Sequence, residues 1–386
     1  MKFGTGIWVV LVAGVCLSCS QQQEMKEIRS GEIWPDTEGN HINAHGGGVM
    51  HHEGTYYWYG EHKSDTTCNA MVGVMCYSST NLTDWKNEGV VLSVADDDSS
   101  DIARGCILER PKVVYNSRND KFVMWFHLEL KGQGYAAARA GVAVGDSPVG
   151  PFHFLRSERV NAGCLPFDMS QEEVACFDTL DGSHFKEWWT RPWEQAVQEG
   201  LFLKRDLEGG QMARDMTLFV DDDGKAYHIY ASEENLTLHI AELSNDYRWH
   251  TGRFVRVAAG GMNEAPALFK HDGTYWMITS GCTGWAPNEA RLFSAKRIWG
   301  PWIQHPTPCV GPDAEITFKG QSTYILPVAG RRDAYIFMAD SWRPEHPSDG
   351  RYIWLPIRFS PDGTPVIEWK PAWNLNYFDK LSVERQ

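Results

Sequence analysis

Five segments of this chain run through the same sequence of polar and apolar positions: a polar residue, a short apolar strand, a tight turn, then a strand dense in aromatics. The aromatic strands read GTYYWYGE from Gly54, DKFVMWFHLE from Asp120, GKAYHIYASEE from Gly224, GTYWMITSG from Gly273 and DAYIFMAD from Asp333. Their lead-ins read AHGGGVMHH, ERPKVVYNS, RDMTLFVDDD, EAPALFKH and GQSTYILPV. The turns carry HHEGT, DDDGK, KHDGT and SPDGT, where Gly supplies positive φ and Asp accepts from the turn backbone. One four-stranded sheet cannot bury both faces, so a unit repeated at this period must stack on its neighbours around an axis. The pattern therefore predicts an all-β fold, a five-bladed β-propeller. The first strand of each blade lines the axis. The lead-ins thus bring His45, Glu109, Arg110, Arg214, Asp215, Glu264 and Gln321 towards one central site.

The outer strands repeat a second phrase, a polar kink before an aromatic, in SSTNLTDW, GDSPVGPF, LSNDYRWH and AKRIWGPW. One stretch breaks the period. An insertion of about 50 residues, from about 160 to 211, precedes blade three and contains FKEWWTRPWEQAVQEGLF. Pro192 is expected to open a short helix there as its first residue, with Glu194 early in the turn. Two readings stand side by side: a wall presenting Trp188, Trp189 or Trp193 to a sugar, or an ornament packed on the propeller. At the N-terminus Lys2, an apolar run from Ile7 to Val15 and Ser18 before Cys19 read as a lipoprotein-type signal over residues 1–19. The apolar run is too short for a stable span. The expectation is export to a bacterial periplasm or cell surface, with a lipid on Cys19 as the membrane attachment. An ordinary cleaved signal is the alternative. Residues 20–40 read as a polar tether and 41–376 as the propeller, expected to be a monomer.

Composition narrows the function. A formal net charge of −14 leaves no electrostatic footprint for nucleic acid. The 17 Trp residues suit blade packing and also sugar stacking. After Cys19 come Cys68, Cys76, Cys106, Cys164, Cys176, Cys282 and Cys309, an odd set without CxxC spacing, which argues against a zinc site or a disulfide framework. Cys164 and Cys176 flank a loop and could pair.

Glu109, Asp215 and Glu264 at blade starts, with Glu61 ending WYGE, put several carboxylates in one pocket. Mutual repulsion raises the pKa of at least one. A neutral acid beside ionised neighbours is what cleavage of a glycosidic bond requires. Trp285 and Trp342 follow inner strands and could stack on sugar. His45, Arg110 and Arg214 can offset the carboxylates, and an axial His can also hold a cation, so a structural calcium at the axis is one expectation. No cofactor is required for the chemistry. Gly46, Gly47 and Gly48 lack the Lys–Ser/Thr that would make a phosphate loop.

At these motifs the chain resembles glycoside hydrolase family 43. RDMTLFVDDDGKAYHIY is similar to that family's third-blade motif and NEAPALFKHDGTYWMI to its fourth-blade motif. The resemblance implies an inverting five-bladed enzyme, with Glu264 as general acid and Asp215 orienting and tuning it. The family's general base is an Asp opening blade one, where this chain has His45–Gly46. AHGGG, YYWYGE, ERPKV and GQSTY resemble the exo-acting galactan 1,3-β-galactosidase branch. That likeness implies release of terminal galactose from an oligo- or polysaccharide, with Glu109 and Gln321 handling the water. Gln321 is expected to position the water through its carbonyl oxygen while Glu109 supplies negative potential. Glu61, Asn235, His45, Arg110 and Trp285 are the expected sugar contacts. An α-L-arabinofuranosidase, a β-xylosidase or a non-catalytic sugar-binding propeller are the alternatives.

Overall fold

The computed structural model describes Met1, residues 26–185 and residues 187–384. The rest of the signal segment, with Cys19, lies outside the described residues.

Five sheets follow one another along the chain, each built on four antiparallel strands in sequential order. Their innermost strands are His45–His52, Ile107–Asn116, Met216–Val220, Glu264–His271 and Gln321–Pro327. Consecutive inner strands touch one another, and the fifth touches the first, so the ring closes as the repeat predicts. Blade five gains a short strand, Cys309–Val310, parallel to its outer strand Pro365–Glu368. Apolar residues from the facing sheets of adjacent blades fill the spaces between them. Met124 and Phe126 pack with Val74, and Ile278 packs with Phe337.

Four inner strands carry a β-bulge near their first residues, at His45/Gly48, Glu109/Lys112, Glu264/Ala267 and Ser322/Tyr324. In three of them the second residue has left-handed backbone: Gly46 at φ 62°, Arg110 at φ 56° and Ala265 at φ 52°. A bulge re-aims the side chains around it. Here each one sits where the strand reaches the mouth of the axis. Left-handed geometry on a residue as large as arginine is costly, and the site recovers that cost in contacts described below.

The segment expected to be a tether behaves differently in its described part. Ile28 pairs with Trp373 through backbone bonds of 2.7 and 3.1 Å, and Ile28 and Trp34 are buried. The Trp34 ring lies 5.0 Å from Trp354, and Trp58 lies 4.9 Å from Trp354 and 5.4 Å from Trp85. Each such ring pair adds roughly 0.5–1.5 kcal/mol beyond its burial. The correction has a plain cause: Ile28 and Trp34 of IRSGEIW seal the seam between blades one and five, while Ile33 stays exposed. A helix, Asn376–Glu384, continues the same seal through buried Phe378, so the domain runs past residue 376.

The insertion is pinched at its base by the Val160–Gln211 pair. It forms helices α1 (Gln171–Thr179), α2 (Arg191–Glu199) and α3 (Leu201–Arg205). Ser170 and Glu173 form a capping box on α1. The helix expected at Pro192 is there, but it begins one residue earlier, at Arg191, with Pro192 second, and Gly200 ends it at φ 107°. Trp193, Val197 and Phe202 pack on Leu236 of blade three. Arg256 of the same blade donates to the carbonyls of Val197 and Gln198, both at 2.8 Å. The two readings of the insertion therefore divide by residue: Trp193 is core, whereas Trp188 and Trp189 stay exposed. Among the described residues all seven cysteines are free, and Cys164 and Cys176 do not pair.

Candidate active site

A cavity of about 310 Å³ opens at the axis where the bulged strand starts converge. Glu264, Asp215, Glu109 and Gln321 line it, as do Glu61, Asn235, Trp285 and Arg110. Lys63, His127, Tyr135 and Trp342 complete most of its wall.

On one side stands Glu264. Its Oε1 accepts from the Asn235 amide at 2.8 Å, and the Cys282 thiol lies against it. Burial, then the charge of Asp215, raise the Glu264 pKa to about 7. Asp215 is itself fixed from two directions. Arg110 grips it in a fork, Nε at 3.1 Å and Nη2 at 2.9 Å, and the Ala265 N–H donates to it at 3.1 Å. That last bond ties Asp215 to the backbone immediately after Glu264. Asn235 is delivered by a turn in which Glu233, Glu234 and Asn235 all have positive φ. Such strain persists only where the surroundings over-determine it. Here Arg256 and His239 hold buried Glu233, at 2.7 and 2.9 Å, and Arg205 and Arg214 hold Glu234, at 2.8 and 3.1 Å.

On the other side stands Glu109. Tyr135 donates its hydroxyl to Oε1 at 3.0 Å, and His127 Nδ1 lies 3.2 Å from Oε2. The other ring nitrogen of His127 meets Glu129 at 2.8 Å. Burial disfavours a charged imidazole, but the two flanking carboxylates outweigh it and raise the His127 pKa to about 9. Burial likewise works against the charged form of Glu109. The contacts with His127 and the charges of Lys63 and Arg110 prevail and hold its pKa down to about 2. Glu61 pairs with Lys63 at 2.5 Å, yet burial dominates there and pushes Glu61 up.

The molecule was compared with known proteins. The profile described as "Glycosyl hydrolases family 43" matches residues 189–365. A family 43 β-1,3-galactosidase solved with galactodeoxynojirimycin is 58% identical, with a TM-score of 0.88 over 90% of this chain and 100% of the other. The chain belongs to glycosyl hydrolase family 43. Two exo-β-1,3-galactanases extend the likeness. One is from Phanerochaete chrysosporium, a variant solved with β-1,3-galactotriose, at 32% identity and a TM-score of 0.72 over 91% of this chain and 68% of that one. The other is from Clostridium thermocellum, at 34% identity and a TM-score of 0.73 over 90% of this chain and 66% of that one. No curated protein matches the chain.

As a family 43 member the protein is an inverting glycoside hydrolase. Such an enzyme needs a proton donor on one face of the sugar and an activated water on the other. Two carboxyl groups in one cavity with pKa values driven apart meet the electrostatic part of that need. Gln321 departs from its expected geometry. Its Oε1 already accepts from Arg110 Nη2 at 2.6 Å and Trp342 Nε1 at 2.9 Å, and its Nε2 donates to Ser280 Oγ at 2.9 Å. Both oxygen lone pairs are taken. An amide so held offers the cavity an N–H and no acceptor.

His45 is the other correction. It is 0% exposed and lies behind the cavity wall, its ring stacked 5.5 Å from Tyr352. Burial, then nearby Lys63, lower its pKa to about 3. The bulge at Gly46 turns the strand so that the Gly46 N–H, donating to Asp340 at 2.7 Å, takes the position nearer the site. His45 therefore has no path to a sugar. Beneath the cavity the axis holds the Lys112 side chain, whose Nζ donates to the carbonyls of Gly46 at 2.9 Å and Arg110 at 3.3 Å. Calcium takes about six to eight oxygen ligands. Carbonyls already engaged by Lys112 do not make such a cage. Glu109, His127 and Asp215 bring ligand atoms within 4.8 Å of one another, but His127 is held as a cation there and Asp215 by Arg110, a poor fit to a metal.

Lys63, His127, Tyr135 and Cys282 went unpredicted. Three of these four had a signal. Every aromatic strand ends in polar residues (YGE, FHLE, ASEE, TSG, MAD), and those ends reach the same mouth as the lead-ins. His127 belongs to those ends, Lys63 lies two residues past YGE, and Cys282 follows TSG.

Proposed function

We propose that this enzyme is an exo-acting β-1,3-galactosidase that releases terminal galactose from β-1,3-galactan with inversion. The observation that carries the reading is 58% identity along the whole length of a family 43 β-1,3-galactosidase. The small cavity on the propeller axis, about 310 Å³, supports exo action, since it suits the end of a chain better than its middle.

The roles follow from the donors and acceptors. Glu264 gives its proton to the glycosidic oxygen as the C1–O bond breaks. Asp215 keeps that proton on Glu264 through its charge. A water held by the free N–H of Gln321 attacks C1 from the opposite face, and its proton passes to Glu109. The products are α-galactose and a galactan one unit shorter. Asn235 and Glu61 meet sugar hydroxyls, and Trp285 with Trp342, ring centroids 5.9 Å apart, form an aromatic rim for the next unit. Digestion of β-1,3-galactan followed by proton NMR tests the reading. The expected result is galactose as the first product, appearing as the α anomer. Release of arabinose or xylose from arabinoxylan instead, an initial β anomer, or binding without turnover would each overturn it.

We also propose that the chain is exported and lipid-anchored at Cys19. Cys19→Ala should move the protein from the membrane fraction to the soluble fraction of its native host. Unchanged membrane association would count against the anchor.

A further inference from the structure

The insertion presents an aromatic surface that the catalytic cavity does not use. Among the described residues none of the insertion lines that cavity. Instead, a separate groove of about 420 Å³ lies between the turn 182–184 and helices α2 and α3, with Phe185, Trp188, Trp193 and Phe202 on its walls and Lys204 and Arg205 at its edge. Trp188 packs on Trp193 and Phe202 at ring distances of 5.3 and 5.9 Å. Even so it remains 58% exposed, and its neighbour Trp189 is 57% exposed. Trp189 also has φ 65°, a conformation in which a bulky side chain is a genuine outlier. Core packing accounts for Trp193 but not for two adjacent, solvent-facing indoles, one of them on strained backbone.

The groove adjoins the catalytic cavity. Arg205 at its edge pairs with Glu234 at 2.8 Å, and Glu234 pairs with Arg214 at 3.1 Å. Arg214 lines the catalytic cavity. Three side chains thus form a shared wall. A cavity that receives one end of a polymer leaves the remainder of the chain outside. Flat indole faces match the chemistry of a pyranose, which offers an apolar C–H face to a ring, while Lys204 and Arg205 are held by the protein, on the Phe177 and Asp178 carbonyls and on Asp206 and Glu234.

We propose that this groove is a second saccharide-binding site, which holds internal units of the galactan while its end is cleaved at the axis. This rests on the galactanase reading above. The test compares wild type with Trp188→Ala, the exposed indole on the groove wall, on two substrates, polymeric β-1,3-galactan and β-1,3-galactobiose. The expected result is a rise in KM for the polymer of about 3–10-fold, the scale of one lost aromatic contact. The kcat for the polymer and both constants for the disaccharide should stay unchanged. A parallel measurement uses Glu264→Gln in gels containing the polymer: migration should be retarded, and adding Trp188→Ala should weaken the retardation by a similar factor, leaving what the axial cavity contributes. Unchanged KM for the polymer, or equal losses on both substrates, would overturn the proposal. So would self-association in sedimentation that Trp188→Ala removes, which would make the groove an interface between copies. A wild-type enzyme that releases no galactose from galactobiose would be a failure of the activity reading, seen before any variant is made.

Discussion

Glu264 and Glu109 face the same cavity from blades four and two, and the protein drives them in opposite directions. Burial and the Asp215 charge bring Glu264 up to about 7. Burial also acts on Glu109, but His127, Lys63 and Arg110 bring it down to about 2. The difference lies in what each is denied. Glu264 has a neutral amide and a thiol as its close partners, with the one nearby guanidinium spent on Asp215. Glu109 has an imidazolium, which Glu129 keeps charged from behind. Arg110 therefore does more than neutralise: by gripping Asp215 and Gln321 it leaves Glu264 free to stay protonated and closes the Gln321 oxygen. The lesson is that an acid and a proton acceptor can be made from the same side chain by allocating three cations unequally.

The harshest way to break that pairing is to remove the proton. Glu264→Gln should cost at least roughly 100-fold in kcat on galactan, the usual scale of general acid catalysis. The loss should shrink on an aryl galactoside whose leaving group needs no proton. Similar small losses on both substrates would take the acid role away from Glu264.

The opposite side is tested by replacing its proton acceptor. Glu109→Ala and Gln321→Ala should each lose turnover, Glu109→Ala by roughly 100-fold. Azide attacks without giving up a proton, so it should restore turnover in Glu109→Ala and yield α-galactosyl azide by chromatography. It should not restore Gln321→Ala, which has lost a holder of the nucleophile rather than an acceptor. Rescue of Gln321→Ala alone would exchange the two roles.

This division of labour was only half legible in the sequence. The repeat gave away the propeller because its period and turn chemistry are local. It also named most of the cavity wall, since polar residues opening inner strands of a propeller have nowhere else to go. What it hid were effects of bulges and of the second strands. His45 looked axial by register, but the bulge before Gly48 turned it into the core. Gln321 looked like a water acceptor until Arg110, from a blade two positions round the ring, filled its oxygen. The tether was misread because isolated apolar residues such as Ile28 and Trp34 show no period, and only the closed ring supplies their partners.

A gentler perturbation leaves both carboxylates in place. Asp215→Asn removes a negative charge that raises the Glu264 pKa, so that pKa should fall. The basic limb of kcat/KM, expected near pH 7 in the wild type from the Glu264 value, should move to lower pH by roughly one unit, a loss of about 5-fold at pH 7 that grows to about 10-fold well above it. An unmoved limb with a raised KM would make Asp215 a sugar ligand instead.

The smallest effect should come from Cys282. Its thiol stands against Glu264, and contact with that thiol lowers the Glu264 pKa, opposing burial and Asp215. The same sulfur lies 3.7 Å from the Asn235 carbonyl, so it also braces the turn that delivers the amide to Glu264. A thiol is a weak donor, and its loss should move a titration by less than the loss of a full charge. Cys282→Ala should therefore shift the basic limb upward, opposite to Asp215→Asn and by less, with kcat on galactan at pH 6 within a few-fold of wild type. Cys282→Ser, which keeps a donor at that position, should bring the limb back towards its original place. A downward shift in Cys282→Ala would mean that the thiol supports the protonated acid, and the allocation of partners around Glu264 would have to be redrawn.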